Sequence, residues 1–264
     1  MINLHPLYSS SSGNLFHIET NSANILIDAG VSYKAINEGL KSIGKQISDV
    51  NAVLITHEHI DHIRGLPLLC RKNQIPIYAC GKTADLLQEQ LNEKNIENHI
   101  FKINYGQAFK IKDIEIESFQ TSHDAIMPCG YRINSETSSL TFATDLGYVS
   151  DEVFENLMAS NYIVLESNYD NTLLDFGKYP YPTKRRIKGN LGHLSNNDTA
   201  FAITKLAKNG HKNFLLAHLS QNNNTPDIAL NTIKDTLYNN QIDPNLLNIQ
   251  ISSKNLSNEV YTIC

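Results

Sequence analysis

Short apolar segments alternate with amphipathic segments along the chain. LFHIET (15–20) and NILIDAG (24–30) predict the two strands of a hairpin. NAVLITH (51–57) is a nearly continuous, β-branched apolar run, which is typical of a strand covered on both faces. Further strands are predicted, in chain order, at PIYAC (76–80), across the β-rich stretch 98–144, and at YIVLES (162–167), NFLLAH (213–218), LNIQIS (247–252) and EVYTIC (259–264).

The amphipathic segments carry helix signals at their ends. Ser32 is placed to cap a helix over 32–44, and Gly44 to end it. Thr225 and Pro226 begin another helix in the same way. Between 59 and 71, Pro67 allows only a short first helical segment. The other predicted helices are KTADLLQEQL (82–91), DEVFENLMAS (151–160) and SNNDTAFAITKLAKNG (195–210).

The stretch between the strand at 162–167 and the helix at 195–210 lacks this periodicity. It is polar, contains YPYPTKRRIKGN, and is predicted to be a loop of about 25 residues. Neither a repeat nor a linker interrupts the pattern, so residues 1–264 are predicted to form one α/β domain. Strands with interspersed helices indicate sheets that are covered on the outside by helices.

Composition narrows the class of protein. The 264 residues are 41% hydrophobic and carry a net charge of −5, which excludes a disordered chain and a generally basic nucleic-acid-coating protein. Four widely spaced cysteines indicate a reduced chain. The first residues, MINLHPLYSS, do not resemble a signal peptide, and no apolar run is long enough for a membrane helix. We therefore expect a cytoplasmic protein without a membrane partner.

The strongest chemical signal is THEHIDH (56–62), directly after the predicted strand 51–57. A loop that leaves a buried strand can turn His57 and His59 to one side, and Asp61 and His62 to an adjacent point. Imidazole and carboxylate groups suit Zn²⁺, Mn²⁺ or Fe²⁺. The alternative is a helix N-terminus that carries polar caps, but a buried core gives no reason to gather three imidazoles and a carboxylate.

Four other polar residues lie where a further ligand is expected, at or near the end of an apolar strand. Rigid strands hold such residues in place, and functional sites concentrate there. Each alone is ambiguous, because a single histidine at a strand end is commonly structural. The four are His123 after IEIESFQTS, Asp145 after LTFAT, His193 in GNLGHLSN, and His218 after NFLLA.

HEHIDH, followed downstream by TSHDA, FATDLG and LLAHLS in this order, resembles the metallo-β-lactamase superfamily. SSSSGN, LIDAG, ESNYD, YPTKRRIKGNLGHLSN and AHLSQNNNTP are similar to the smaller YycJ/WalJ group of exonucleases. The resemblance spans nearly the whole chain. It implies a four-layer αββα metallo-β-lactamase sandwich with a dinuclear site between two sheets.

The resemblance also implies a ligand set for two divalent ions, zinc or manganese. One ion would be held by three histidines, the second by a carboxylate and two histidines, and a second carboxylate would bridge them. These positions are, in the same order, His57, His59 and His123; Asp61, His62 and His218; and Asp145.

His193 competes with His218 for the last place. His218 is preferred because it directly follows a buried strand, whereas His193 lies in a glycine-flanked loop. His193 would then lie near the scissile phosphate, as a donor to a charged oxygen or as the general acid. Asp61 is the second residue on which catalysis is expected to depend.

Other residues are expected to orient these ligands or to contact substrate. Asp28, Glu58 and Asp124 are candidates for orienting imidazoles, or are ordinary loop carboxylates. Residues 9–14 favour a plain turn over a phosphate-binding loop. Expected substrate contacts are Asn168 and the basic run Lys184, Arg185, Arg186 and Lys188. The alternative for the basic run is a solvated charged loop.

Two metal ions lower the pKa of a bridging water and stabilise the oxyanion that forms, so the site alone does not choose between lactams, thioesters and phosphodiesters. A carboxylate in the bridging position, His193 and the basic run favour phosphodiesters. The resemblance implies a 5′-to-3′ exodeoxyribonuclease that uses a metal-bridging hydroxide on single- or double-stranded DNA ends. It also suggests a link to DNA mismatch repair or to cell-wall two-component signalling. The alternatives are a small-molecule thioester or cyclic-phosphodiester hydrolase and a non-catalytic metal-binding regulator.

Overall fold

The structure, a computed structural model, describes residues 1–93, 96 and 99–264. The predicted hairpin forms the middle of a seven-stranded sheet. Its last four strands run parallel, with Ile27 opposite Leu54 between the third and fourth strands. In spatial order, the strands are β14 (Tyr261–Ile263), β1 (Ile2–Ser10), β2 (Gly13–Glu19), β3 (Asn24–Ile27), β4 (Ala52–Ile55), β5 (Ile77–Cys80) and β6 (Ile100–Ile103).

A second seven-stranded sheet is built from the second half of the chain. Four of its strands, β10 to β13, are parallel, so their carboxyl ends meet at one edge. In spatial order, the strands are β13 (Asn248–Ile251), β12 (Asn213–Ala217), β11 (Tyr162–Glu166), β10 (Ser139–Ala143), β9 (Cys129–Asn134), β8 (Ile114–Gln120) and β7 (Phe109–Ile111).

The two sheets pack face to face and helices cover their outer faces. Between the sheets, the rings of Phe16 and Phe142 meet edge to face with centroids 4.8 Å apart. Outside the first sheet lie α1 (Tyr33–Ser42), α3 (Leu66–Lys72) and α4 (Gly81–Glu93), and outside the second lie α5 (Asp151–Met158), α8 (Asn196–Lys208) and α9 (Pro226–Asn239). The expected four-layer sandwich is confirmed.

The helix boundaries follow the capping signals of the sequence. Ser32, Ser195 and Thr225 each accept a hydrogen bond from a backbone N–H in the first turn of the helix that follows. Pro67 lies in the first turn of α3, which separates this helix from the four-residue α2 (Ile60–Ile63). The chain also forms two short 3₁₀ helices, Ile47–Asp49 and Pro244–Leu246.

The prediction of a long loop between 167 and 195 is wrong. This stretch contains α6 (Asn171–Phe176), capped by the Asp170 side chain, and α7 (Tyr181–Ile187), which has Pro182 in its first turn. No residue of α7 is buried. A helix without a buried face has no apolar periodicity, and for this reason the sequence pattern did not reveal it.

Within the described part of the chain, none of the helices combines the length and the apolar character needed to cross a bilayer.

Candidate metal centre

The THEHIDH motif lies at the carboxyl end of β4, the fully buried strand in the parallel part of the first sheet. His57 follows the strand directly, and His59 begins α2. Asp61 and His62 lie in the first turn of that short helix. The strand therefore fixes the start of the motif and the helix turns its second half toward the same point.

Gly30 allows α2 to lie close to the first sheet. A side chain at this position would place its Cβ 1.6 Å from the carbonyl oxygen of Asp61, so only glycine fits. The backbone of Ala29 also donates to the carbonyl of His62 at 2.8 Å. The LIDAG segment therefore holds α2 in place.

Asp28 links the two parts of the motif. Its carboxylate accepts from the backbone N–H of Thr56 at 2.9 Å and lies 2.7 Å from Nδ1 of His62. Burial raises the pKa of Asp28 against the opposing effect of His62. Burial alone would lower the pKa of His62, but Asp28 and Asp145 raise it well above its usual range. Asp28 therefore orients a candidate ligand, as expected.

The second sheet contributes the other candidate ligands. His123 follows β8, Asp145 follows β10, and His218 follows β12. Because the ends of β10, β11 and β12 share one edge, these side chains converge on the HEHIDH residues from the opposite sheet. The centre therefore lies between the sheets and draws side chains from both.

Among the described residues, four overlapping groups bring their possible ligand atoms within 4.8 Å of one another; two of them match the ligand sets expected from the sequence, and the other two both contain Asp145. Asp145 lies between the two matching groups: its Oδ2 is 3.5 Å from Nε2 of His62, and its Oδ1 is 3.8 Å from Nε2 of His123. The first matching group is His57, His59 and His123, and the second is Asp61, His62 and His218.

Several of these atoms lack a hydrogen-bond partner among the described residues. Nε2 of His57, Nε2 of His218 and Oδ2 of Asp145 are buried and make no hydrogen bond there. Leaving such groups unsatisfied is costly, whereas a divalent cation would satisfy them. The donor set therefore fits two divalent ions.

The opposite ring nitrogens of the candidate ligands are held by the protein. Nδ1 of His123 donates to the carbonyl of Gly192 at 2.9 Å, Nδ1 of His62 contacts Asp28, and Nδ1 of His218 lies 2.8 Å from Glu166. Such contacts are typical of metal-binding histidines, because they fix the tautomer and the ring orientation.

Charge in the centre is balanced between the imidazoles and the carboxylates. Burial opposes a charge on His218, but Asp145, Asp61 and Glu166 raise its pKa to about 10. Burial also opposes ionisation of Asp61 and Glu166, but nearby histidines hold the pKa of both carboxyls well below the usual range. The carboxylates thus stay ionised and attract cations.

His193 lies at the edge of the centre. Its Nδ1 is 2.7 Å from Oε1 of Glu166 and 3.7 Å from Oδ1 of Asp145, and its side chain retains 19% exposure. His218 groups with Asp61 and His62, whereas His193 groups only with Asp145, Glu166 and His218 among the described residues. His218 as the ligand in preference to His193 stays a prediction.

Glu166 was missed by the sequence reasoning. It ends the fully buried strand β11, and besides the two histidines it accepts from the backbone N–H groups of Leu146 at 2.9 Å and Leu194 at 3.2 Å. The available signal was an acidic residue at the end of a continuous apolar run. Such a carboxylate needs buried partners, and Glu166 has four.

Backbone conformation is unusual at the same place. Asp28, Asp145 and His218 adopt left-handed conformations, with φ of 61°, 60° and 57°. They are three of the five non-glycine residues with positive φ among those described. Each follows the end of a parallel strand, where this conformation turns the side chain into the centre; conformations of this kind are strained for residues other than glycine.

Asn168 is held against the backbone of His218. Its side chain is buried, and Nδ2 donates to the carbonyl of His218 at 2.8 Å. Because this donor is engaged with the backbone, Asn168 helps to position His218. The substrate contact expected of Asn168 stays a prediction.

The basic run is divided between two faces of α7. Arg186 forms an ion pair with Asp124, the neighbour of His123, and so lies beside the centre. Lys184 and Lys188 instead reach Asp175 on the other side of α7, at 2.7 Å from its carbonyl and 2.6 Å from its carboxylate. Arg185 is exposed next to these lysines. The four residues are thus not one surface.

The remaining candidates have structural positions. Glu58 accepts from the backbone N–H of Ile126 at 2.8 Å and so holds the loop beyond His123. Residues 9–14 form the hairpin turn between β1 and β2, as expected, and the Asn14 side chain reaches Nε2 of His62 at 3.2 Å.

Comparison with known proteins gives matches over most of the chain. Residues 23–219 match the family described as "Beta-lactamase superfamily domain". The exodeoxyribonuclease YycJ of Bacillus anthracis is 38% identical over 232 residues, which cover 88% of this chain and 87% of that protein. The exodeoxyribonuclease WalJ of Streptococcus pneumoniae is 39% identical over 234 residues, covering 88% and 86%.

A solved structure shows the same fold. The metallo-β-lactamase fold protein YhfI from Bacillus subtilis superposes with a TM-score of 0.71, covers 98% of both chains and is 16% identical.

Proposed function

The chain belongs to the β-lactamase superfamily and, within it, to the family of the exodeoxyribonucleases YycJ and WalJ; on that premise we propose that it is a metal-dependent exodeoxyribonuclease that acts on DNA ends. The observation that carries the proposal is the pair of three-ligand groups on either side of Asp145, with His193 held beside them by Glu166. This arrangement combines a cation site with a separate proton donor.

His57, His59 and His123 would hold one divalent ion, and Asp61, His62 and His218 the second, with Asp145 shared between them. Nitrogen and oxygen donors of this kind suit zinc or manganese. When bound, two such ions activate water at neutral pH and offset the charge that develops on a phosphate.

His193 would supply the proton for the departing oxygen. Because Nδ1 is held at 2.7 Å from Glu166, the free nitrogen Nε2 is the one that can donate. The partial exposure of the ring lets a substrate reach it, unlike His218, whose ring is buried. His193 is thus suited to act as general acid, with Glu166 as the residue that positions it.

Arg186 would bind a phosphate next to the cleaved bond. It is exposed, and its ion pair with Asp124 places its guanidinium beside His123. A guanidinium recognises phosphate oxygens in a bidentate manner. Arg186 is therefore the member of the basic run that we assign to the catalytic end of the substrate.

The test uses purified protein with added Mn²⁺ or Zn²⁺ and DNA labelled at either end, both single- and double-stranded. We expect stepwise release of nucleotides from the 5′ end, and at least a hundredfold loss in an Asp61→Ala variant. Intact DNA together with turnover of S-lactoylglutathione or bis-p-nitrophenyl phosphate would replace the proposal by a small-molecule hydrolase. Wild-type behaviour of Asp61→Ala would instead indicate a metal-binding regulator.

We also propose a cytoplasmic location and a role in DNA repair. Cys70, Cys80 and Cys129 are buried and unpaired, which suits a reducing compartment. Cell fractionation tests the location, and the mutation rate of a deletion strain tests the role; an unchanged rate would remove the repair assignment.

A further inference from the structure

Two neighbouring clefts lie on the surface beside α7. The first, of about 590 Å³, is lined by Tyr181, Arg185 and Lys188, among others. The second, of about 420 Å³, lies against α8 and is lined by Tyr148, Phe201 and Lys205, among others, and again by Lys188. Because Lys188 lines both clefts, they are adjacent, and the pair is here named the α7–α8 trough.

Exposed aromatic rings are concentrated in this trough. Six aromatic side chains are exposed among the described residues, and Tyr181 (76%), Phe201 (59%) and Tyr148 (49%) line the trough. Single exposed rings are ordinary on a protein surface, whereas rings gathered in one place mark a contact site. Their clustering therefore points to a ligand with flat apolar faces.

Cations lie between the rings. The ammonium of Lys205 is 4.5 Å from the ring centroid of Phe201 and 5.8 Å from that of Phe154. Arg185 is exposed in the other half of the trough. Exposed rings and cations thus line the same two clefts, and this is the combination that proteins use to stack bases and pair phosphates of single strands.

The trough also contains acidic groups, which limit its charge. Asp175 is paired with Lys188, Asp198 accepts from the Ser195 hydroxyl at 2.6 Å, and Asp151 lies in the first turn of α5. Against these three carboxylates stand four cations, Lys184, Arg185, Lys188 and Lys205. The excess of a single cation means that stacking on the rings, more than charge, must supply the affinity.

The inner end of the trough is fixed to the metal centre. Tyr148 follows Asp145 by three residues, and three residues span at most about 11 Å. Asn190, on the opposite wall, precedes His193 by the same interval. Gly147 packs so tightly on Asn190 that a Cβ would lie 2.0 Å from its carbonyl oxygen, and this contact holds the two walls together.

We propose that the α7–α8 trough binds the single-stranded part of the DNA substrate next to the nucleotide at the metal centre. Tyr181, Phe201 and Tyr148 stack on bases, and Arg185 and Lys205 pair with phosphates. The choice of DNA as occupant rests on the proposed function. Single strands are required because a duplex hides the base faces that these rings would contact.

The test compares two double variants, Phe201→Ala with Lys205→Ala in the trough, and Tyr238→Ala with Lys234→Ala as control. The control removes one exposed aromatic and one lysine, also four residues apart, from α9, which does not line the trough. Binding of a labelled 20-nucleotide single strand is measured by fluorescence anisotropy on the metal-loaded protein, with phosphorothioate linkages in the strand to prevent cleavage. Circular dichroism melting verifies the fold of each variant.

We expect the trough variant to bind the 20-mer at least about fivefold more weakly and the control variant to bind as the wild type does. The Lys205→Ala change alone should reduce the slope of log Kd against log salt by about 0.7, and Phe201→Ala alone should leave the slope unchanged. Hydrolysis of bis-p-nitrophenyl phosphate, which does not reach the trough, should be unaffected in both double variants.

Equal affinity of wild type and trough variant, or an equal loss in the control, would overturn the proposal. Tenfold tighter binding of RNA than of DNA of the same sequence would overturn DNA as the occupant. The wild-type protein could fail to degrade DNA while the trough variant still binds the strand more weakly than the wild type does. That result would refute the proposed nuclease function but would keep the trough as a binding site for single-stranded DNA.

Discussion

Oε1 of Glu166 lies 2.7 Å from Nδ1 of His193, and the same oxygen lies 2.8 Å from Nδ1 of His218. One buried carboxylate atom thus orients both a candidate metal ligand and the candidate proton donor. The two roles are therefore coupled through a single residue.

Replacing Glu166 by Gln should reduce activity by about 10- to 100-fold, because a neutral amide holds both imidazoles less firmly. Metal content, measured by mass spectrometry, should fall together with the turnover of end-labelled DNA. An exposed carboxylate, Glu38, offers the control Glu38→Gln. Full activity in Glu166→Gln would show that the contact is structural only.

His193→Ala and His218→Ala should fail in different ways. His218→Ala removes a ligand of the second group, so the ratio of metal to protein should fall from about two to one. His193→Ala should retain both ions and lose about 10²- to 10⁴-fold in kcat, as expected for a lost general acid. If His193→Ala loses one ion and His218→Ala keeps both, His193 is the metal ligand and His218 is the candidate proton donor.

Arg186→Ala should raise KM for DNA and weaken the salt dependence of binding. Loss of one phosphate contact on a single strand should lower the slope of log Kd against log salt by about 0.7. Arg71→Ala, at an exposed position on α3, is the matched control. An unchanged slope in Arg186→Ala would remove this residue from the substrate site.

His17 should make folding stability depend on pH. Its ring is buried between β1 and β3, and burial, with the nearby His5 next in effect, lowers its pKa from 6.5 to about 4. The unfolded chain therefore takes up a proton that the folded chain resists, so stability should fall as the pH decreases from 6.5 and level off below 4.

This effect amounts to about 2 kcal/mol between pH 7.5 and 5, obtained from 1.36 kcal/mol per pKa unit. Urea unfolding at both pH values measures it, and His17→Gln should lose this part of the dependence. His99→Gln, which changes an exposed histidine, should keep it. Identical dependence in wild type and His17→Gln would contradict the prediction.

Much of the sandwich was predictable because its strands and helices carry local signals. β4 is a short parallel strand buried on both faces, so it stands out as a continuous apolar run, and Ser32 and Thr225 mark helix starts through backbone hydrogen bonds. The same logic placed the HEHIDH residues together, since they follow one strand. These features depend on neighbours in sequence.

Other features depend on contacts between distant residues and could not be predicted. Glu166 ends β11, but its partners come from three other segments, and nothing in YIVLES indicates them. The division of the basic run follows from α7, which has no buried residue and so leaves no pattern in the sequence. Asn168 is engaged by a carbonyl 50 residues away.

The left-handed conformations of Asp28, Asp145 and His218 oppose folding locally. Each holds a polar group in place at some expense of backbone energy, about 1–3 kcal/mol for a strained residue of this kind. Glycine would remove that strain at each position, but it would also remove the side chain that the centre uses. At these three positions, relief of backbone strain and loss of function therefore go together.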